Sequence, residues 1–185
     1  IDPNPNPAPD AIPWIIACED LGNTDDFDFN DIVFSVSHAA GSTEAIVTPL
    51  AAGGILDARI YYNDQELGEI HTLLGQSRLT ITNTQSSKGT PGSPIKITVP
   101  ETYSVTNDMG GFSIRIINNE KEATAIKAPE NGTAPQMICI DGSTGWAWPT
   151  ERTNISDAYP AFGEWGANYA TNKDWYKNAS GSVVK

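Results

Sequence analysis

Basic residues are scarce in this chain, and none occurs before Arg59. The 185 residues include 11 Lys and Arg against 23 Asp and Glu, which gives a formal net charge of −12. Sequence-independent binding to nucleic acid needs clustered Lys and Arg that release counterions, and docking on anionic lipid needs the same residues. The composition therefore argues against both activities. It favours an exported protein, or one that loads divalent cations.

Long apolar runs and cysteines are also few. No stretch approaches the roughly 18 consecutive apolar residues that a membrane-spanning helix requires. The two cysteines, Cys18 and Cys139, do not form a CxxC pair. They are either two reduced core residues or one disulfide that closes a long loop, which would stabilise the fold by about 4–5 kcal/mol. The sequence does not give the distance between their Cα atoms, so both alternatives stay open.

The first thirteen residues, IDPNPNPAPDAIP, are dominated by proline. Because proline fixes φ and removes a hydrogen-bond donor, residues 1–13 are predicted to form an extended, polyproline-like linker. Such a spacer suggests a tether to an upstream lipid anchor or domain, although an ordinary frayed terminus has the same composition. Residues 14–185 have enough apolar sequence for a single domain.

Beyond the linker, short apolar runs alternate with turn-forming residues. In segment 78–83, for example, Leu79 and Ile81 alternate with threonines, which is typical of a half-buried strand. This pattern predicts an all-β protein, an antiparallel β-sandwich of jelly-roll-like type. The predicted strands are 14–18, 31–37, 44–49, 56–63, 78–83, 94–99, 111–118, 123–127 and 136–140.

Helix is predicted in two places only. Residues 68–75 could form one short helix. Residues 156–168 are the better candidate for a short C-terminal helix, since Ser156 or Asp157 can cap it and Pro160 falls in its first turn. Its aromatic residues also recur at helical spacing, at positions 159, 162 and 165.

The most acidic stretch, EDLGNTDDFDFND (19–31), lies between two predicted strands. Asp26, Asp28 and Asn30 alternate with Phe27 and Phe29. In extended backbone the three oxygen-bearing side chains would point to one side and the two rings to the other. A bend or bulge at Asn30–Asp31 would then bring the next carboxylate to the same centre.

Converging carboxylates repel one another unless a cation lies between them. Oxygen ligands without His or Cys favour Ca²⁺ over zinc or copper. The stretch is not an EF-hand, because Asp31 and Ser37 stand where that loop needs Gly and Glu. The alternative is a solvated acidic loop whose charges are screened or paired with distant Arg. The predicted calcium ligands are Glu19, Asp20, Asp26, Asp28, Asn30 and Asp31.

Two motifs resemble a known family. ACEDLGNTDDFDFNDIVFSV (17–36) is similar to the EDL…DxDFND signature of LruC-type domains, found in exported proteins of Gram-negative bacteria. PQMICIDGSTGWAWPTERTNISDAYPAFGEW (135–165) resembles the closing segment of the same family. The resemblance implies an exported, often lipid-anchored, all-β protein at the cell surface, outer membrane or periplasm. It also implies a calcium site in the DFND segment, but no known ligand or reaction.

Most of the tryptophans fall in the last forty residues. Exposed aromatic rings are what sugar-binding surfaces use. Trp146 and Trp148 could instead pack the C-terminal helix onto the sandwich as a second small core, whereas Trp175 and Tyr176, near a polar tail, are predicted to be an exposed pair. All four are candidate ligand-binding residues.

No catalytic motif is present: neither a nucleophile elbow, nor HExxH, nor a P-loop. A carboxylate pair such as Glu101 and Glu151 would suit a glycan-processing enzyme only if folding brought the two together. We therefore expect a non-enzymatic, calcium-binding module for surface adhesion or for binding a glycan or protein ligand. The alternative is a structural spacer or surface-assembly subunit in which calcium acts as a staple.

Overall fold

A computed structural model of the chain describes residues 11–20, 26–85, 89–105, 108–118, 121–126, 130 and 132–185. Its strands form two antiparallel sheets, with the orders β6-β3-β2-β1-β9 and β5-β4-β7-β8. The predicted all-β sandwich is thereby confirmed. The strands are β1 Ala11–Cys18, β2 Ile32–Ala39, β3 Glu44–Ala51, β4 Asp57–Tyr62, β5 Gln65–Glu69, β6 Ile95–Thr98, β7 Phe112–Asn118, β8 Lys121–Ala125 and β9 Met137–Asp141.

The main core lies between the two sheets. Strands β3 and β4 alternate buried and half-buried residues, as expected when one face of each strand packs inward. Phe34 of β2 and Phe112 of β7 meet across the interface, with ring centroids 5.2 Å apart. Ile60 and Ile114, which are directly paired on β4 and β7, are fully buried beside them.

A second core covers the outer face of the first sheet, which explains the continuous apolar run in β1. Ile16 and Cys18 face the main core, while Ile15 and Ala17 face the second one. The C-terminal segment, residues 142–185, lies over this outer face and contributes most of the aromatic residues. They are Trp146, Trp148, Tyr159, Phe162, Trp165 and Trp175, all buried.

The helices are short: α1 Ile70–Leu73, α2 Ile155–Ala158 and α3 Phe162–Ala167. The single helix predicted over 156–168 is wrong, because it is interrupted at 159–161, where proline lacks the N–H that continues a helix. Asn154, not Ser156 or Asp157, caps α2 by accepting the Ser156 N–H. The predicted helix over 68–75 shrinks to α1. No helix in the described part of the chain is long and apolar enough to cross a membrane.

One predicted strand is wrong and one observed strand was missed. Within 78–83 only Thr82 makes a bridge, to Ala52, and Leu79 is 75% exposed. Apolar–polar alternation there reflects an exposed turn, not a strand with a buried face. Strand β5 reads QELGE and pairs with β4 alone. As an edge strand with no fully buried residue, it carries no hydrophobic pattern for the sequence to reveal.

The two cysteines are free thiols in adjacent strands. Cys139 pairs with Ile16 and Cys18 pairs with Met137, so the two thiols are diagonal neighbours on one face of the sheet. Of the two alternatives left open above, the structure has the reduced one. Strand β1 begins at Ala11, within the predicted linker 1–13, and residues 1–10 lie outside the described residues.

Candidate metal centre

The acidic stretch joins β1 to β2, which pair in register with Cys18 opposite Ile32. Around its two phenylalanines the backbone is not extended, contrary to the prediction: Phe27 and Phe29 have φ values of 51° and 53°. These left-handed residues are unusual for bulky side chains and set the directions of their neighbours. Phe29 is fully buried in the second core, edge-on to Phe162 with ring centroids 5.6 Å apart.

Three carboxylates converge at this loop. One oxygen from each of Asp26, Asp28 and Glu151 lies within 4.8 Å of the other two. Glu151 comes from the C-terminal segment, where its N–H donates to Thr84 O at 2.9 Å. The Asp28 carboxylate is held by the backbone of both segments: Asn30 N–H donates to Oδ1 at 3.2 Å and Arg152 N–H donates to Oδ2 at 2.7 Å.

A fourth oxygen lies beside the three carboxylates. Asn30 is fully buried, and its amide Nδ2 donates to Pro149 O at 3.4 Å. Its Oδ1 has no hydrogen-bond partner among the described residues, and neither has Oε2 of Glu151. Both oxygens lie against Gly53, whose missing Cβ would be 1.8 Å from Asn30 Oδ1 and 3.1 Å from Glu151 Oε2. Two buried acceptors with no donor are what a cation would satisfy.

The remaining predicted ligands lie next to this cluster. Asp20 Oδ2 and Asp31 Oδ1 approach Gly54, 2.1 Å and 3.1 Å from the position of a Cβ. Asp31 Oδ2 also accepts the Asp20 N–H at 2.7 Å, and Glu19 Oε1 accepts the Phe29 N–H. Glu19 and Asp31 therefore hold the loop backbone in shape. A ligand role for Glu19, Asp20 and Asp31 stays a prediction.

Burial disfavours the ionised form of several of these acids. Burial, reinforced by neighbouring carboxylates and only partly offset by backbone hydrogen bonds, raises the pKa of Glu19 to about 8, of Asp28 to about 7 and of Asp31 to about 9. Burial likewise raises the pKa of Glu151, with Asp26 adding to the effect. Among the described residues, backbone hydrogen bonds and Arg152 offset this charge only in part, so a metal ion at the cluster would relieve the repulsion.

The cluster opens onto a cleft of about 380 Å³. Asp20, Asp26, Asp31 and Glu151 line it, and Arg152 is the one basic residue among its described lining residues. The donor set is made of carboxylate and amide oxygens, without His or thiolate, which suits a hard cation. The cleft leaves room on the solvent side for water or ligand oxygens.

The four aromatic candidates do not form an exposed surface. Trp146 and Trp148 are buried in the second core, which agrees with the packing alternative. The prediction that Trp175 is exposed is wrong: it is 4% exposed, because rings of Tyr159, Phe162 and Trp165 surround it. Tyr176 is half-buried and packs edge-on against Trp175.

Glu101 and Glu151 are not a pair. Glu101 follows β6 near Val99, whose N–H donates to Thr43 O, at the sheet end where Glu44 pairs with Thr98. The acidic loop and Glu151 lie at the opposite end, where Cys18 pairs with Ile32. The structure gives no support to a glycosidase based on these two carboxylates.

Sequence reasoning missed Glu151 as part of the cluster. It stands 120 residues from the loop, and only the fold brings the two segments together. The one local signal was the Trp148-Pro149 sequence shortly before it. In the structure, Pro149 O accepts from the Asn30 amide, and Trp148 Nε1 donates to Asn83 O at 3.0 Å. These contacts fix the turn that carries Glu151.

Comparisons with known proteins give a partial family match. Residues 118–176 match the model of a family described as Domain of unknown function (DUF4842). This range includes Glu151 and the whole closing motif but not the acidic loop, and the LruC-type signature itself is not confirmed. No curated protein matches the chain.

One solved structure is distantly similar to the chain. It is a crystal structure of a protein from Bacteroides ovatus described as a "Putative lipoprotein", with a TM-score of 0.42 and 16% sequence identity. The alignment covers 95% of this chain and 75% of that chain. Neither this structure nor the matched family supplies an activity.

Proposed function

We propose that the chain is an exported, non-enzymatic, calcium-binding β-sandwich module that binds a ligand at the cell surface. The observation that carries the metal site is the unpartnered, fully buried Asn30 Oδ1 beside the Asp26, Asp28 and Glu151 carboxylates. The acidic composition and the family resemblance support export. The absence of any recognisable catalytic arrangement in the sequence supports a binding role.

Calcium is the cation that this donor set favours. Ca²⁺ accepts six to eight oxygen ligands in flexible geometry, whereas Mg²⁺ demands a strict octahedron and keeps several waters. Three carboxylates and one amide oxygen, with an open cleft for further oxygens, match the larger ion. Zinc would prefer nitrogen or sulfur ligands, and burial keeps the nearest thiol, Cys18, protonated by raising its pKa.

The test is a thermal melt of metal-stripped protein, with and without Ca²⁺, compared with Glu151→Gln and Asp26→Asn. A ligand that binds only the folded state at a hundredfold excess over Kd adds about 2.7 kcal/mol, or roughly 5–10 °C for a chain of this size. We expect that shift in the wild type and its loss in both variants. These two half-buried residues are better targets than Asp28, whose carboxylate also accepts two backbone N–H groups.

The matched control is Glu44→Gln, an exposed carboxylate at the opposite sheet end that pairs with Lys96 at 3.1 Å. It should keep the full calcium-dependent shift. A wild-type protein that melts identically with Ca²⁺ and with chelator would contradict the metal site, as would equal shifts in all variants.

A second candidate function is a structural spacer in which the ion is only a staple. One observation favours it: the clustered carboxylates come from the β1–β2 loop and from the C-terminal segment, so an ion would cross-link them. Deletion of this module from cells that export it separates the two functions. Loss of surface assembly with ligand binding unaffected would favour the spacer.

A further inference from the structure

Two of the three large apolar side chains that are most exposed in the described part of the chain line the acidic cleft. Ile55 is 55% exposed, Leu79 75% and Ile81 42%. Ile55 and Ile81 line the cleft directly, and Leu79 is two residues from Ile81. We call these three residues the aliphatic rim. Exposed apolar side chains that cluster at a cleft, on a surface this highly charged, mark an interaction site.

The aliphatic rim is held in place by the backbone. The turns that carry it are joined where Ala52 and Thr82 exchange two hydrogen bonds, of 3.0 Å and 2.8 Å. The Asn83 amide also donates to Leu50 O at 2.6 Å. A rim fixed before binding loses little conformational entropy when a partner docks on it, which favours affinity.

The cleft stays acidic after a metal has bound. A divalent ion offsets two of the carboxylates and Arg152 offsets one more, while Asp20, Asp26, Asp28, Asp31 and Glu151 all lie in or beside the cleft. A partner that brings an anionic group would therefore be repelled. A partner that brings an ammonium or guanidinium group would be attracted, and its neighbouring aliphatic side chains could cover the rim.

We propose that the cleft and the aliphatic rim form a docking surface for a segment of a partner protein that carries Lys or Arg between aliphatic residues. This inference rests on the proposed ligand-binding function of the same cleft and names its class of ligand. The partner's cationic group contacts the acidic lining of the cleft, while the metal is held by Asp26, Asp28 and Glu151. The flanking aliphatic side chains cover Ile55, Leu79 and Ile81.

The test is a selection of random displayed peptides on the calcium-loaded protein, followed by calorimetry of the enriched peptides. We expect them to contain Lys or Arg flanked by aliphatic residues. Their affinity should fall at least tenfold for the triple variant Ile55→Ser, Leu79→Ser, Ile81→Ser. Replacing the peptide cation by Gln should weaken binding to a similar degree, and raised salt should weaken the peptide that keeps the cation.

The side chains of the aliphatic rim carry no oxygen that could bind the ion, so the triple variant should keep the calcium-dependent melting shift. If Ca²⁺ raises the melting temperature of the wild type but no peptide is enriched, the docking surface is overturned and the metal site is kept. If peptides bind although Ca²⁺ leaves the melting temperature unchanged, the metal site alone is contradicted. Enriched peptides that lack a cation, or that ignore the triple variant, overturn this proposal. Concentration-dependent dimerisation that the triple variant abolishes would also overturn this proposal, because the docking surface would then bind a second copy of this chain.

Discussion

Gly53 is the residue whose smallness the proposed metal centre requires. A Cβ there would lie 1.8 Å from Asn30 Oδ1 and would also crowd Glu151 Oε2. We expect Gly53→Ala to displace both oxygens and to lower calcium affinity by at least about tenfold, a loss of roughly 1.4 kcal/mol. Calorimetric titration of the metal-stripped protein measures this directly.

Gly163 provides the matched control for that substitution. It lies in α3, and nothing stands within 4 Å of its Cβ position. Gly163→Ala should leave calcium affinity unchanged and stabilise the fold by about 0.5–1 kcal/mol through helix propensity. Equal calcium affinity in the two variants would show that the oxygens beside Gly53 are not ligands.

Phe29 anchors the acidic loop in the second core. It is fully buried and packs on Phe162, so Phe29→Ala leaves a cavity and should cost about 3–5 kcal/mol of unfolding free energy. Leu79→Ala removes an equally apolar side chain that is 75% exposed, and it should change stability by less than about 0.5 kcal/mol. Denaturant unfolding of the two variants gives the comparison, and similar losses in both would contradict the assigned burial.

The role of a single residue was predictable where its own chemistry and the pattern of its sequence neighbours indicate the same role. The alternation of acids with Phe27 and Phe29 indicated both the oxygen-rich loop and its buried anchor. The geometry came from left-handed backbone, not from the extended backbone that was expected. Glu151 was out of reach, because the Trp-Pro sequence before it marks a turn but does not indicate that this turn folds against a loop near the start of the chain. The exposure of Trp175 was wrongly predicted for the same reason. A tryptophan near a polar tail in the sequence is not exposed once aromatic rings from other parts of the C-terminal segment pack on it.

At the level of elements, hydrophobic pattern predicts a strand only where the strand has a buried face. Strand β1 was found because both of its faces are covered. Strand β5 was missed because it is a polar edge strand, and 78–83 was wrongly assigned because its apolar residues belong to an exposed rim. The C-terminal helix split because Pro160 falls in its middle rather than in its first turn.

Hydrogen bonds already join the acidic loop to the C-terminal segment, the two parts of the chain that a bound ion would cross-link. The Ile155 N–H donates to Phe27 O at 2.7 Å, and the Arg152 N–H donates to Asp28 Oδ2 at 2.7 Å. Bound calcium should slow hydrogen exchange of these two amides by about tenfold or more, since local opening would have to release the ion. Exchange of amides in wild-type protein with Ca²⁺ or chelator, resolved by residue, gives the measurement.

The internal control is the Val99 amide, which donates to Thr43 O at the far end of the first sheet. The exchange rate of this amide should change much less between Ca²⁺ and chelator if the amide exchanges through local opening of that sheet end. Unchanged exchange at Arg152 and Ile155, in protein shown to bind calcium, would mean that the ion does not join the loop to the C-terminal segment.

For the whole molecule, the buried acids make stability depend on pH, and a bound metal would change that dependence. The folded, metal-free protein holds protons on Glu19, Asp28 and Asp31 with pKa values of about 8, 7 and 9, because burial and neighbouring carboxylates disfavour their ionised forms. The unfolded chain releases the same protons near pH 4. The folded state therefore binds more protons between about pH 4 and 9, and its free energy of unfolding falls as pH rises through that window.

A bound cation reverses this dependence, since it favours the ionised carboxylates and its affinity rises as protons leave. The difference in melting temperature between calcium-loaded and metal-free protein should accordingly widen from about pH 5 to about pH 8. Glu69 does not disturb the comparison. Hydrogen bonds from His71 and Thr72 outweigh its burial and lower its pKa to about 2. Its contribution to the free energy of unfolding is therefore lost only in more acid solution. Glu151→Gln should show the metal-free trend with or without calcium. A metal-free melting temperature that rises across the window would mean that these acids are not buried together in the folded protein.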